Sequence, residues 1–341
     1  MNERTGLVLG EQQGGTLNKL RVLISRRTEG RAVALLVVVS ILTIIFEPIA
    51  FTSYEVTLGR VALIGLIALG LTTVILMGEL DLSVASTLAV CGVVMASIDN
   101  LALGVVAALL VGLLIGAANA FFVVVVGINS FIATLGMLFF LRGLAFVISD
   151  EKPVRISDID AGISFGKSLI GPFTPRMLLF ILVFIVLQVF VTRVRIGREF
   201  YAVGGNRQAA FDAGIPVNRR IFTGFMISGF IAALAGVIST LERTAADPTA
   251  GSTVLLSSFA AAIIGGVLLT GGRGSIFGTL LGATSLGIMQ VALTLSGVEV
   301  DVQDIITGTV LLVAVITDPN TLRAVIRSAR SLAQGRSAPA A

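Results

Sequence analysis

Two carboxylates sit where lipid would punish them. Glu79 and Asp81 lie in Gly78-Glu-Leu-Asp-Leu-Ser83, a short polar stretch between two apolar runs. A charged side chain at the centre of a bilayer costs about 2.5–3.5 kcal/mol on insertion scales. Both groups must therefore face a cavity, a partner or an aqueous edge. Three chemistries fit. Asp81, followed by Leu82 and Ser83, could cap a helix start, because a carboxylate satisfies the free N–H groups there. It could line a polar path with Glu79, Ser83, Asn129, Ser130, Thr134 and Arg142. Either carboxyl could also exchange a proton. Arg142, inside the apolar stretch Leu138–Ile148, is equally out of place. It either snorkels to the outer edge or pairs with a carboxylate in the bundle.

Much other chemistry is excluded. The chain has no histidine and one cysteine, Cys91, inside an apolar run. That removes histidine-based zinc sites, Ser-His and Cys-His catalytic pairs, thiolate clusters and disulfide scaffolds. The segment Ala161-Gly-Ile-Ser-Phe-Gly-Lys-Ser168 resembles a phosphate-binding loop only superficially. The first glycine of that pattern is Ala161 here, and no strand precedes it. Any ATP chemistry belongs to a partner, and the chain itself is expected to bind no metal or cofactor.

The elements that position these groups follow from composition. Of 341 residues, 55% are hydrophobic and only 13% charged, with a mean hydropathy of +1.00. A soluble domain carries about 25% charged residues, so most of this chain lies in lipid. Ten apolar segments read as spans: 32–51, 58–77, 82–98, 101–126, 129–149, 176–194, 219–241, 254–270, 275–296 and 303–317. The runs do not alternate, which excludes a barrel and leaves an all-α polytopic bundle. The third, eighth and tenth segments are short enough to be broken or tilted. Most of the 24 Lys and Arg fall in residues 1–31, 193–220 and the tail after 318. The positive-inside rule then puts both termini and 195–218 in the cytoplasm and 150–175 outside. The expected organisation is a cytoplasmic tail (1–31), a transmembrane domain (32–317) and a second cytoplasmic tail (318–341). The pI of 9.8 reflects inner-face anchoring rather than nucleic-acid binding. The outer loop 150–175 is long enough for a short helix.

Glycines add a packing pattern. Gly274, Gly278 and Gly282 recur at helical spacing, as do Gly112 and Gly116. Such stripes let helices approach closely, either within one chain or at a dimer seam. In the inner loop, Gly204–Gly205 permits a turn and Asn206 can cap a short helix over 207–213. Gly214 then ends that helix.

Here a family resemblance becomes specific. Gly204-Gly-Asn-Arg-Gln-Ala-Ala210 with Gly214-Ile215 resembles the coupling segment of ribose-type ATP-binding-cassette importer permeases, in the branched-chain/ribose permease superfamily. Gly78–Ser83, Ser130-Phe-Ile-Ala-Thr-Leu-Gly136 and the run Ile264–Gly282 resemble three further motifs of that family, in the same order. The resemblance covers about residues 58 to 317. It implies a multi-pass permease subunit of the bacterial inner membrane that imports a monosaccharide as a dimer. A separate ATPase subunit would bind ATP-Mg and dock on Gly204, Gly205, Asn206, Arg207, Ala209, Ala210, Gly214 and Ile215. A periplasmic or lipid-anchored sugar-binding protein would dock outside. Four positions depart from the pattern. Glu79 stands where glycine is usual and Asn129 where proline is common. Arg207 and Gln208 stand where acidic residues are frequent. The competing reading is a secondary sugar/proton symporter using Glu79 or Asp81.

Overall fold

A computed structural model describes residues 29–316, except 168, 170 and 172. Most of the N-terminal tail and the tail 318–341 lie outside the described residues. Among those described, the chain forms fourteen helices: α1 (Gly30–Phe46), α2 (Ile49–Thr52), α3 (Tyr54–Ile75), α4 (Val84–Ala96), α5 (Leu101–Val124), α6 (Ser130–Ser149), α7 (Ile159–Gly166), α8 (Pro175–Arg193), α9 (Arg195–Gly205), α10 (Arg207–Asp212), α11 (Val217–Arg243), α12 (Ser252–Ile264), α13 (Ile276–Leu295) and α14 (Val300–Ile316). Two short strands, β1 (Val154–Arg155) and β2 (Ala245–Ala246), pair antiparallel. Each of the ten apolar segments carries a helix. Six of these, α3, α5, α6, α8, α11 and α13, are long and apolar enough to cross a membrane.

The short segments have a physical explanation. Helices α4 and α12 have 13 residues each, about 20 Å of rise, less than the roughly 30 Å of a hydrocarbon core. Irregular backbone adjoins both helices, residues 76–83 before α4 and 265–275 after α12. Such backbone is tolerated at membrane depth only when protein surrounds it. Leu76, Met77, Glu79, Asp81 and Ser83 are indeed all buried.

Helix α3 is the axis of the bundle, with almost every residue from Val61 to Met77 buried. Small residues set its surroundings. A Cβ on Gly229 of α11 would meet the Gly112 carbonyl of α5 at 2.3 Å, and one on Gly116 would meet the Phe225 carbonyl. On the other side, Gly278 and Gly282 of α13 lie against the Gly265 and Ala261 carbonyls. These stripes therefore serve packing within the chain. Gly274 does not share the helical stripe. It precedes α13, whose first turn is capped by Ser275 Oγ accepting from the Gly278 N–H at 3.2 Å. Helices α5, α6 and α8 turn large apolar side chains outward, among them Leu114, Phe139, Phe140 and Val186.

The bundle has two distinct ends. Helix α3 starts beside Arg176 and Glu242, near the β1–β2 pair, and finishes beside α9 and residues 271–272. The long loop 150–175 does carry a helix, α7, and Ala161–Gly166 of the phosphate-loop lookalike lie in it. Gly162 there packs against the Leu241 carbonyl.

Candidate functional site

Three glycine-rich stretches far apart in sequence meet at one end of the bundle. The Gly272 N–H donates to the Leu76 carbonyl at 2.9 Å. Gly204, in the last turn of α9, lies directly on that bond: a Cβ there would sit 2.0 Å from Leu76 O and 2.5 Å from Gly272 N. Gly204 and Gly205 thus end a helix, and the expected turn begins only at Asn206. At Gly204, glycine is required by close approach rather than by bending. The fourth stretch joins from α6. The Leu80 N–H donates to Ser130 Oγ and the Leu82 N–H to Thr134 Oγ1, both at 3.1 Å. All four motifs read from the sequence therefore converge around residues 76–83.

Asp81 holds the centre of this junction. Its Oδ1 accepts from the Ser83 N–H at 3.1 Å and from Ser83 Oγ at 2.6 Å, just before α4, whose first turn has no side-chain cap. Ser228 Oγ of α11 donates to Oδ2 at 2.8 Å. Asn119 of α5 donates to Ser83 Oγ at 2.7 Å and to Asp81 Oδ1 at 3.4 Å. One carboxyl thus ties the irregular segment to α5 and α11. Asn119 and Ser228 escaped the sequence reading. Asn119 continues the Gly112–Gly116 stripe three residues on, so a polar group on a small-residue face was the available signal.

The other residues proposed for a polar path separate. Glu79, Asn129 and Ser130 line a cavity of about 650 Å³ beside the junction, together with Gly204, Asn206 and Arg207. Asn129 also caps α6 by accepting from the Phe131 N–H at 3.0 Å. Asp81, Ser83 and Thr134 are buried in the bonds just described. Arg142 stands apart, twelve residues or about 18 Å along α6 from Ser130. Its Nε is buried without a hydrogen-bond partner, and among the described residues no carboxylate pairs with it. Glu79 forms an ion pair with Arg207, so two departures from the family pattern meet in one contact.

Helix α10 follows the expected design. Asn206 Oδ1 accepts from the Ala209 N–H at 2.9 Å, and Gly214 ends the segment at φ +77°. Its faces were not legible. Ala210 is buried against the bundle and Ala209 is exposed. Phe211, which the sequence reading passed over, is 67% exposed. Gln208 donates to Asp212 at 2.9 Å along the same helix.

Helix α9 is fastened to α11 by charge. Glu199 accepts from Arg195 Nε at 2.8 Å and from Arg220. Burial raises the Glu199 carboxyl, but the hydrogen bonds and charges of Arg220 and Arg195 outweigh it and hold the group below its ordinary value. A lowered carboxylate contributes stability above the ordinary range, about 4.3, and loses it as pH falls further. Thermal unfolding from pH 7 to pH 3 should therefore show wild type above Glu199→Gln at neutral pH, with the two curves merging in acid. A constant gap across that range would show that the ion pairs contribute nothing.

The opposite end of the bundle holds a second cavity, of about 740 Å³, lined by residues of α3, α7, α8, α11, α12, α13 and α14. Arg60 Nε donates to Gln290 Oε1 at 2.8 Å, and Gln290 in turn bonds Ser257. Arg176 pairs with Glu242 and donates to the Glu55 carbonyl at 3.1 Å, clamping three helices at the rim. Glu299, Gln303 and Asp304 complete a polar mouth. Donors and acceptors without an aromatic platform suit weak, transient contact with a hydroxylated solute. Arg60 and Gln290, 230 residues apart, carried no local signal.

The family described as branched-chain amino acid transport system / permease component matches residues 53–315. The chain belongs to this permease family. Among relatives of this permease, the ribose import permease protein RbsC of Escherichia coli (strain K12) is 37% identical over 84% of this chain and 92% of its own length. The D-allose transport system permease protein AlsC of the same organism is 37% identical, over 74% of this chain and 79% of its own. The L-arabinose ABC transporter permease protein AraH of Azospirillum brasilense is also 37% identical, over 76% and 77%. No solved structure matches the chain. With these relatives and six spanning-length helices, the permease is a multi-pass protein of the bacterial inner membrane.

Proposed function

We propose that this permease is the membrane subunit of an ATP-binding-cassette importer for a monosaccharide. The observation that carries the reading is α10. It is a six-residue capped helix that presents Phe211 to solvent and rests on the junction where the family motifs converge. A separate ATPase subunit carries ATP-Mg and takes Phe211 into an apolar groove, while the permease chain binds no cofactor. Orientation follows charge. About ten helices cross with both termini inside, α9 and α10 face the cytoplasm, and the 740 Å³ cavity opens outward. A periplasmic or lipid-anchored sugar-binding protein delivers the sugar there, and a second copy of the permease completes the transporter.

The route follows from the two cavities. Arg60 and Gln290 meet the sugar at the outer mouth, and Glu79, Asn129 and Ser130 border the inner one. ATP binding closes the ATPase pair, α10 moves with it, and access alternates between the two ends. The symporter reading has less support. Glu79 is engaged by Arg207, and Asp81 is enclosed by Ser83, Asn119 and Ser228.

Phe211→Asp tests the docking face. An exposed aromatic anchor of an interface typically contributes 2 kcal/mol or more, about 30-fold in affinity. The variant should fold and insert normally but fail to retain the ATPase during co-purification. Wild-type retention would show that α10 is not the docking element.

A further inference from the structure

We infer that the Glu79–Arg207 ion pair is the mechanical link by which the ATPase drives this permease. The inference rests on the importer reading above and adds a named pair to it. Helix α10 has six residues, too few to be held firmly by packing, and only Ala210 of it is buried. Among the described residues, Arg207 to Glu79 is the one hydrogen bond or ion pair between two side chains that joins α10 to the rest of the bundle. The pair is asymmetric in burial. The Glu79 side chain is 5% exposed, while that of Arg207 is 51% exposed. The carboxylate therefore belongs to the bundle and the guanidinium to the moving helix.

What Glu79 is attached to decides what a displacement of Arg207 can reach. Glu79 lies three residues after Leu76, whose carbonyl accepts from Gly272, and two before Asp81, which binds α5 and α11. Leu80 and Leu82, on either side of Asp81, are bonded to α6. Residues 76–83 also continue directly from α3, whose far end carries Gly59 and Arg60 in the outer cavity. A pull on Glu79 is thus delivered to a segment that is hydrogen-bonded to α5, α6 and α11 and continuous with α3. The 650 Å³ cavity beside the pair gives the segment room to move. A charged pair suits this task because it tolerates changes of angle and length that a packed contact would not.

The test needs no knowledge of the transported sugar. Thr253, exposed at the outer cavity, is replaced by cysteine in a Cys91→Ser background. Maleimide labelling is then compared with and without ATP and vanadate, which trap ADP-vanadate in the ATPase, in the full transporter reconstituted in lipid nanodiscs. Coupling between sites falls typically at 5–150-fold, so an ATP-dependent change of about tenfold is expected in the reporter alone. Glu79→Ala and Arg207→Gln should each abolish that change, and in Glu79→Ala, which lies outside the docking residues, ATP hydrolysis and ATPase co-purification should persist. Arg207→Lys, which keeps the charge, should retain it. The double variant should be no worse than either single one, since the two residues act as a unit. A full response in Glu79→Ala or Arg207→Gln overturns the link, as does a loss in Arg207→Lys equal to that in Arg207→Gln. A reporter that ignores ATP in the otherwise unaltered transporter contradicts the importer reading itself, and the link with it.

Discussion

Asp81→Ala is expected to lower the stability of the purified permease by about 1–3 kcal/mol, the usual cost of leaving buried polar groups without their hydrogen-bond partner. The carboxyl is 1% exposed and accepts from Ser83, Asn119 and Ser228. Without it those donors lose their shared acceptor and residues 76–83 lose their tie to α5 and α11. Asp81→Asn should cost less, about 1 kcal/mol, because the amide oxygen still accepts from Ser83 and the Ser228 hydroxyl can rotate to accept. Thermal unfolding in detergent measures both. If Asp81 instead served only the passage of solute, Asp81→Asn would leave the unfolding curve unchanged and remove uptake. Equal melting temperatures for wild type and Asp81→Ala would refute the fastening role.

The second large effect is expected at Gly204. Valine there would force its Cβ to within 2.0 Å of the Leu76 carbonyl, which is itself held by Gly272. Neither neighbour is a flexible side-chain end, so α9 must lift away. Overpacking of this kind costs about 1–3 kcal/mol or more, and it would detach α9 and α10 from the junction together. Gly204→Val should therefore lose ATP-driven uptake even where the protein still inserts. The adjacent glycine is the control, since nothing lies within 4 Å of a Cβ on Gly205. Gly205→Ala should behave as wild type. Comparable damage from both substitutions would show that helix geometry, rather than the approach to Leu76, is what matters at this position.

The elements of this permease were legible in its sequence and their mutual placement was not. Apolar runs of spanning length announce helices whatever surrounds them, so each of the ten segments carries one. Asn206 and Gly214 bracket α10 because capping chemistry is local. Which side of each helix faces inward left little trace. Lipid is as apolar as a protein core, and a membrane helix therefore need not segregate its hydrophobic residues. The inward Ala210 and outward Phe211 show a related limit, since six residues are too few to display a period. Gly204 was misread because a glycine pair signals a turn as readily as a close approach. Arg60 and Gln290, like Glu79 and Arg207, are joined only by the fold. No spacing rule relates residues 230 or 128 positions apart.

What energises transport decides between importer and symporter. The permease, its ATPase and its sugar-binding protein can be reconstituted in proteoliposomes and offered D-ribose, D-allose and L-arabinose in turn. Accumulation of at least one sugar that requires ATP and all three components, and that survives a protonophore, is the predicted result. Uptake by the permease alone, driven by an imposed proton gradient and indifferent to ATP, would contradict it.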